Sequence, residues 1–72
     1  MREKIINLIE NTLNLPSGTL NENTKIEEVE GWDSLAHVLI IGELDASLGI
    51  SIPLEEAIEI TSVEELFKKA GV

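Results

Sequence analysis

The chain has 72 residues, with 14 Asp and Glu against 5 Lys and Arg, a formal charge of -9 and no Cys. That length holds one small domain, residues 1–72, and the lack of Cys excludes a disulfide framework, a thiolate zinc site and a cysteine nucleophile. Between Ile26 and Phe67 there are eleven acids and no Lys or Arg, which disfavours nucleic acid and anionic membrane as ligands and suits a basic protein partner.

The N-terminal stretch Met1–Asn7 lacks the apolar region of a secretion signal. The longest apolar run, Val38–Ile41, is four residues, against the roughly 20 a membrane helix needs. A soluble, cytoplasmic protein is expected. Apolar residues make up 43% of the chain, mostly Leu and Ile, so a small aliphatic core is feasible. A deep enzymatic site beside it is harder to accommodate, because a domain this short buries only about 60% of its unfolded surface.

Residues 3–14 predict a first helix, with Ile5, Ile6, Ile9 and Leu13 on one stripe and Leu8 widening it. Pro16, Ser17 and Gly18 break the pattern. Residues 15–33 then form a long connection rich in Asn and Gly, in which Leu15, Leu20, Ile26, Val29 and Trp32 are spaced as anchors to a core. Residues 34–48 predict a second helix, capped by Asp33 or Ser34 and stopped by Gly49. At about 100° per residue, His37, Ile40, Ile41, Leu44 and Leu48 share one face, while Leu35, Val38, Leu39 and Gly42 fall on another. Ile50-Ser51-Ile52 reads as a candidate short strand, and Pro53–Ile60 as a short third helix with Pro53 in its first turn. A fourth helix opens at Thr61-Ser62, where two overlapping capping boxes end on Glu64 and Glu65, and it runs to about Ala70 before Gly71. The fold class is all-α: four helices, a long loop between the first and second, and a short third helix.

The residues by themselves assemble no catalytic centre. A serine triad would have to use His37, three residues after Ser34, yet His37 shares its face with core residues and reads as a half-buried structural histidine. Glu27, Glu28 and Glu30 lack the spacing of a calcium loop and read as a solvated acidic turn, so no metal site is assigned. No glycine-rich phosphate loop is present. The distinctive feature is Gly31-Trp32-Asp33-Ser34-Leu35. It puts a serine where the long loop becomes a helix, a place that tolerates an anion.

Here the sequence resembles the acyl carrier proteins. Asp33-Ser34-Leu35 is similar to that family's attachment motif. The likeness spans nearly the whole chain: Ile5 through Leu13, the anchors Leu20 and Ile26, Ile50-Ser51-Ile52-Pro53, and Ile60-Thr61-Ser62-Val63. The resemblance implies an acyl-carrier-like bundle with 4'-phosphopantetheine on Ser34, donated by coenzyme A through a phosphopantetheinyl transferase. The arm's thiol would carry acyl intermediates as thioesters to partner enzymes, and the protein would itself catalyse nothing. Asp33, Leu35, Val38, Leu39, Gly42 and Asp45 would form the surface read by the transferase and by partners. Those partners would be a loading acyl or aminoacyl ligase and downstream acyltransferases or synthases. Ile40, Ile41, Leu44, Leu48, Ile58 and Ile60 would line a pocket for the chain if the core shelters it.

The chain also departs from the pattern of fatty-acid-synthesis carriers. Ala36 and Leu39 stand where acids are usual, Gly42 where a bulky apolar residue is usual, and Trp32 where a small residue is common; Glu43 and Asp45 are all that remains of a late acidic run. These departures imply a specialised carrier that relies on apolar contact, serving lipid, polyketide, nonribosomal or cell-envelope chemistry. The Trp32–Ala36 stretch also looks like D-alanyl and peptidyl carriers, which leaves an aminoacyl or peptidyl carrier as the alternative. Two further readings stand: a helical interaction module that is never modified, and a small hydrolase using Ser34 and His37. The Met1 start and the complete helix pattern lead us to expect a freestanding monomer.

Overall fold

The computed structural model describes residues 1–72 and contains four α-helices and no strand: α1 (Arg2–Thr12), α2 (Ser34–Leu48), α3 (Leu54–Ala57) and α4 (Val63–Ala70). A single 3₁₀ turn, Ile26–Glu28, interrupts the long connection. Thirteen buried apolar side chains form one core, in which Ile5 and Ile9 of α1, Ile40 and Leu44 of α2, and Val63, Leu66 and Phe67 of α4 are almost wholly excluded from water. Each contributes about 1.5–3 kcal/mol relative to exposure.

The helices end where local chemistry stops them. For α1 the stop comes two residues before the expected one, because Asn14 adopts a left-handed φ of 60°. Asn14 N–H then donates to the Asn11 carbonyl at 3.2 Å and Leu15 N–H to the Glu10 carbonyl at 2.7 Å, the pair of bonds that defines a Schellman stop. α2 matches its expected span, with Asp33 as its cap and Gly49 at φ 68° as its stop. α3 is shorter than expected. Pro53 is its N-cap rather than a first-turn residue, and after Ala57 the chain tightens into three-residue turns. That tightening carries Ile60, only 5% exposed, into the core. Ile50–Ile52 does not form a strand; Ile50 N–H caps the end of α2 at the Leu44 carbonyl, and Ile52 is buried.

The expected anchors do hold the long connection: Leu20 and Trp32 are buried, and Leu15, Ile26 and Val29 pack against the core. Polar contacts hold it as well. Lys25 pairs antiparallel with Ser62, through Ile26 N–H to the Thr61 carbonyl at 2.9 Å and Val63 N–H to the Thr24 carbonyl at 3.0 Å. Glu10 is the one buried charged residue, 2% exposed. Its Oε2 accepts from Gly18 N–H at 3.1 Å and Leu20 N–H at 3.0 Å, so a helix side chain folds the start of the loop. α1 and α4 are tied by Arg2, which lies 4.9 Å over the Phe67 ring and donates to the Val72 carbonyl and to Glu22. α3 is held to α4 by Lys69, which reaches Glu59 at 3.1 Å and Glu56 at 3.6 Å.

Two consequences are measurable. Replacing Glu10 with Ala leaves two loop amides without an acceptor, one of them buried. It should cost about 1–3 kcal/mol, read as a fall in the denaturant midpoint at constant slope. The second concerns Glu65, which accepts from both the hydroxyl and the backbone N–H of Thr61 rather than returning to its own cap, Ser62. These bonds hold the Glu65 carboxyl below its ordinary value of 4.5. A lowered folded-state value means stability that is fully present above the ordinary value and lost as pH falls through the lowered one. Glu65→Gln should therefore show a shallower loss of stability on acidification below the ordinary glutamate range than the parent protein.

Candidate functional site

Ser34 is the first residue of α2, and its place follows from the cap in front of it. Asp33 is in extended conformation and its Oδ1 accepts from Ala36 N–H at 2.9 Å, while its carbonyl accepts from His37 N–H. An Asp in this role contributes about 0.5–2 kcal/mol over Ala. The amides of Ser34 and Leu35 have no partner within the chain, and the Ser34 hydroxyl makes no hydrogen bond. Ser34 is exposed. Its hydroxyl is therefore free to be esterified, beside two unpaired amides at the positive end of a helix dipole.

Ser34 stands at the rim of a cleft of about 370 Å³ lined by nine residues. One wall is the start of α2, with Asp33, His37 and Val38; the other is Leu54, Ile58 and Ile60; Ile26 and Trp32 complete it. Six of the nine are hydrophobic, and Asp33 is the only acid. No Lys or Arg lines it.

The polar centre of the cleft is a relay. Trp32 Nε1–H donates to His37 Nδ1 at 3.0 Å, and His37 Nε2 lies 2.8 Å from the Ala57 carbonyl. An indole nitrogen only donates and a carbonyl only accepts. His37 must then be neutral, with its proton on Nε2. The two rings are tilted by 35° with centroids 6.1 Å apart. Every polar atom of this cluster is thereby satisfied, as the absence of any buried unpaired side-chain atom also shows.

The residues expected at the site fall into two groups. Asp33, Leu35, Val38, Leu39, Gly42 and Asp45 are all exposed and lie from the cap of α2 to the start of its fourth turn, with Leu35 70%, Val38 52% and Leu39 54% accessible. Of the residues expected around a sheltered chain, Ile58 and Ile60 line the cleft beside Ser34. Ile40, Ile41 and Leu44 are buried in the core and do not reach the cleft, and Leu48 is half-buried near α1 at the other end of α2. Sequence reasoning missed Leu54, Ile26 and the relay. The relay had a partial signal: a buried Trp needs an acceptor for its N–H, but Glu30, Asp33 and Ser34 are nearer in the sequence than His37 and can also accept.

A model of the phosphopantetheine attachment site family matches residues 3–68. The chain belongs to this family. Domains of the family carry covalent 4'-phosphopantetheine and are carriers, not enzymes. No curated protein and no solved structure matches the chain. The site fits the group the family carries: a free serine hydroxyl, unpaired amides for a phosphodiester, and an apolar cleft leading from them. No helix of this carrier domain is long and apolar enough to cross a membrane.

Gly42 lies inside α2, and a Cβ there would meet nothing within 4 Å. Packing therefore gives no reason for glycine, which costs a helix interior about 0.5–1 kcal/mol relative to Ala. Gly42→Ala should raise stability by about that amount in a denaturant titration. A matching loss in partner turnover would place the need for a bare backbone on the partner surface.

Proposed function

We propose that this domain is an acyl carrier protein in which Ser34 bears the 4'-phosphopantetheine, and that it is a specialised carrier rather than a housekeeping carrier of fatty acid synthesis. The observation that carries the reading is the unbonded, exposed hydroxyl of Ser34 at the mouth of an apolar cleft, between two unpaired amides. When attached, the group supplies a thiol that holds acyl groups as thioesters. The chain's own residues anchor and present it. Asp33 sets the helix cap and offers a carboxylate next to the hydroxyl for a transferase with magnesium and basic groups. Leu35, Val38 and Leu39 form an apolar surface on which transferase, loading ligase and downstream acyltransferase or synthase would dock, with Gly42 and Asp45 at its edge.

The specialised reading rests on energetics. Burying one exposed Leu at an interface is worth on the order of 1.5–3 kcal/mol, whereas an exposed charge pair is worth about 0–1 kcal/mol. Leu39 therefore outweighs the acid that a more polar recognition helix would have there. The acidic field around the cleft still favours basic partners by speeding encounter. We place the carrier in the cytoplasm as a monomer. An aminoacyl, D-alanyl or peptidyl cargo is the second reading, favoured by Trp32 and Ala36 around the attachment motif.

The test is the intact mass after incubation with coenzyme A, magnesium and a promiscuous phosphopantetheinyl transferase. We expect a gain of one phosphopantetheine in the parent protein and none in Ser34→Ala. Asp33→Asn keeps a good cap but loses the charge, so it should fold normally and be modified more slowly. A folded parent protein that gains no mass would favour the unmodified interaction module.

A further inference from the structure

Trp32 and His37 of the relay line the cleft at Ser34, and the core residues Ile40 and Leu44 lie further along α2, outside that lining. His37, Ile40 and Leu44 lie at successive turns of the same face of α2, so the imidazole is the first side chain met on a path from Ser34 along that face towards the core. It is fixed on both nitrogens, to Trp32 on one side and to the Ala57 carbonyl of α3 on the other. Trp32 is 5% exposed and Ala57 fully buried, so neither partner is free to swing into water without opening the core. On the outer side, Val38, Leu54 and Ile58 border the cleft and are 52%, 58% and 74% exposed. On the inner side, Ile40 and Leu44 are 0% exposed. The cleft's volume of about 370 Å³ sits near the lower end of the range for small-molecule sites, about 300–1,000 Å³.

We propose that the Trp32–His37–Ala57 relay is a specificity-determining gate, which holds cargo carried at Ser34 in the surface cleft and out of the core. The inference rests on Ser34 as the attachment point. Short or compact acyl and aminoacyl groups fit against Val38, Leu54 and Ile58. A long alkyl chain reaches the end of the apolar cleft and must either lie in water or break two buried hydrogen bonds to go further. Breaking them leaves an indole N–H and a backbone carbonyl unpaired in an apolar setting, which a few methylenes do not offset. Trp32 and His37 are positioning residues here: they touch neither the ester nor the thiol, and they set where the cargo can lie.

The test loads the full chain with acetyl- or dodecanoyl-phosphopantetheine, transferred from the corresponding acyl-coenzyme A by a promiscuous transferase. Intact mass is read first; absence of loading would overturn the Ser34 assignment itself, before the gate is probed. On fully loaded protein, methyl NMR follows Val38, Leu54 and Ile58 outside the gate and Ile40 and Leu44 inside it. The indole N–H of Trp32, the chain's single tryptophan, reports the relay by hydrogen exchange. We expect both cargoes to shift the outer methyls, leave the inner ones as in the unacylated holo-protein, and leave the indole protected.

In His37→Leu the indole N–H should exchange about tenfold faster, and dodecanoyl should now shift Ile40 and Leu44. Trp32→Phe keeps a ring but has no donor, and should give the same inner shifts. Two results would overturn the gate: inner shifts with dodecanoyl in the parent protein, or an unchanged inner pattern in both variants when circular dichroism shows them folded. Should the variants unfold, the parent's response to dodecanoyl decides alone.

Discussion

An indole N–H has no choice but to donate, and that one constraint orders the whole site. Trp32 is buried, so its N–H must find an acceptor, and it finds His37 Nδ1. The imidazole is thereby left with its only proton on Nε2, which in turn must find an acceptor, and finds the Ala57 carbonyl of α3. Two adjoining segments, the end of the long loop and the first turn of α2, are thereby joined to the last residue of α3, twenty residues further on. A four-residue helix has no stability of its own in water. α3 stands where it does because His37 holds its end, Ala57 and Ile60 are buried, and Lys69 reaches its acids from α4.

The second constraint is the distribution of apolar surface. A chain of 72 residues has a thin margin of stability, yet Leu35, Val38, Leu39, Leu54 and Ile58 remain in water. They are not scattered. Val38, Leu54 and Ile58 line the cleft at Ser34, and Leu35 and Leu39 lie on the exposed face of α2; Met1 at the N-terminus is the other large apolar side chain left exposed. The apolar residues of α2 are thus divided between two faces, one closing the core and the other exposed. Cations show the complementary pattern. Arg2 stacks on Phe67 and Lys69 binds Glu56 and Glu59, so these two cations tie helices together outside the cleft lining.

This division was legible in the sequence at α2 because two independent signals agree there. The spacing of His37, Ile40, Ile41 and Leu44 marks one face, and Asp33 and Gly49 mark the ends by their own side-chain and backbone chemistry. α1 and α3 were less legible for opposite reasons. Asn14 stops α1 by taking a left-handed conformation that Asn tolerates but does not require, so Pro16 looked like the stronger break. Pro53–Ile60 had the composition of a helix, but Ile60 is drawn into the core and the chain tightens to deliver it. Glu10 was invisible because nothing along α1 says that two loop amides will fold over it. Periodicity tells which face is buried and not what lies across from it. For the same reason periodicity puts Ile40 and Leu44 with Ile58 around a single pocket, whereas Ile58 lines the cleft and Ile40 and Leu44 are buried outside its lining.

The two walls of the cleft are consequently unequal. The α2 wall, with Ser34, belongs to a fifteen-residue helix capped by Asp33 and packed on α1. The loop leading to it is fastened by Glu10, by the Lys25–Ser62 pair and by Trp32. The opposite wall is one helical turn with two of its large apolar side chains, Leu54 and Ile58, facing water. Local stability follows burial and protected hydrogen bonds, so on this wall the exposed Leu54 and Ile58 side chains are the ones free to adjust, while Ala57 is held by burial and by the relay. A carrier needs that asymmetry. On the proposed assignment, Ser34 is held in one geometry for the enzymes that would read it, while the exposed surface beside it can adapt to the cargo. The relay joins the α2 wall to the α3 wall through the His37–Ala57 contact, which acts together with the burial of Ala57 and Ile60 and the reach of Lys69.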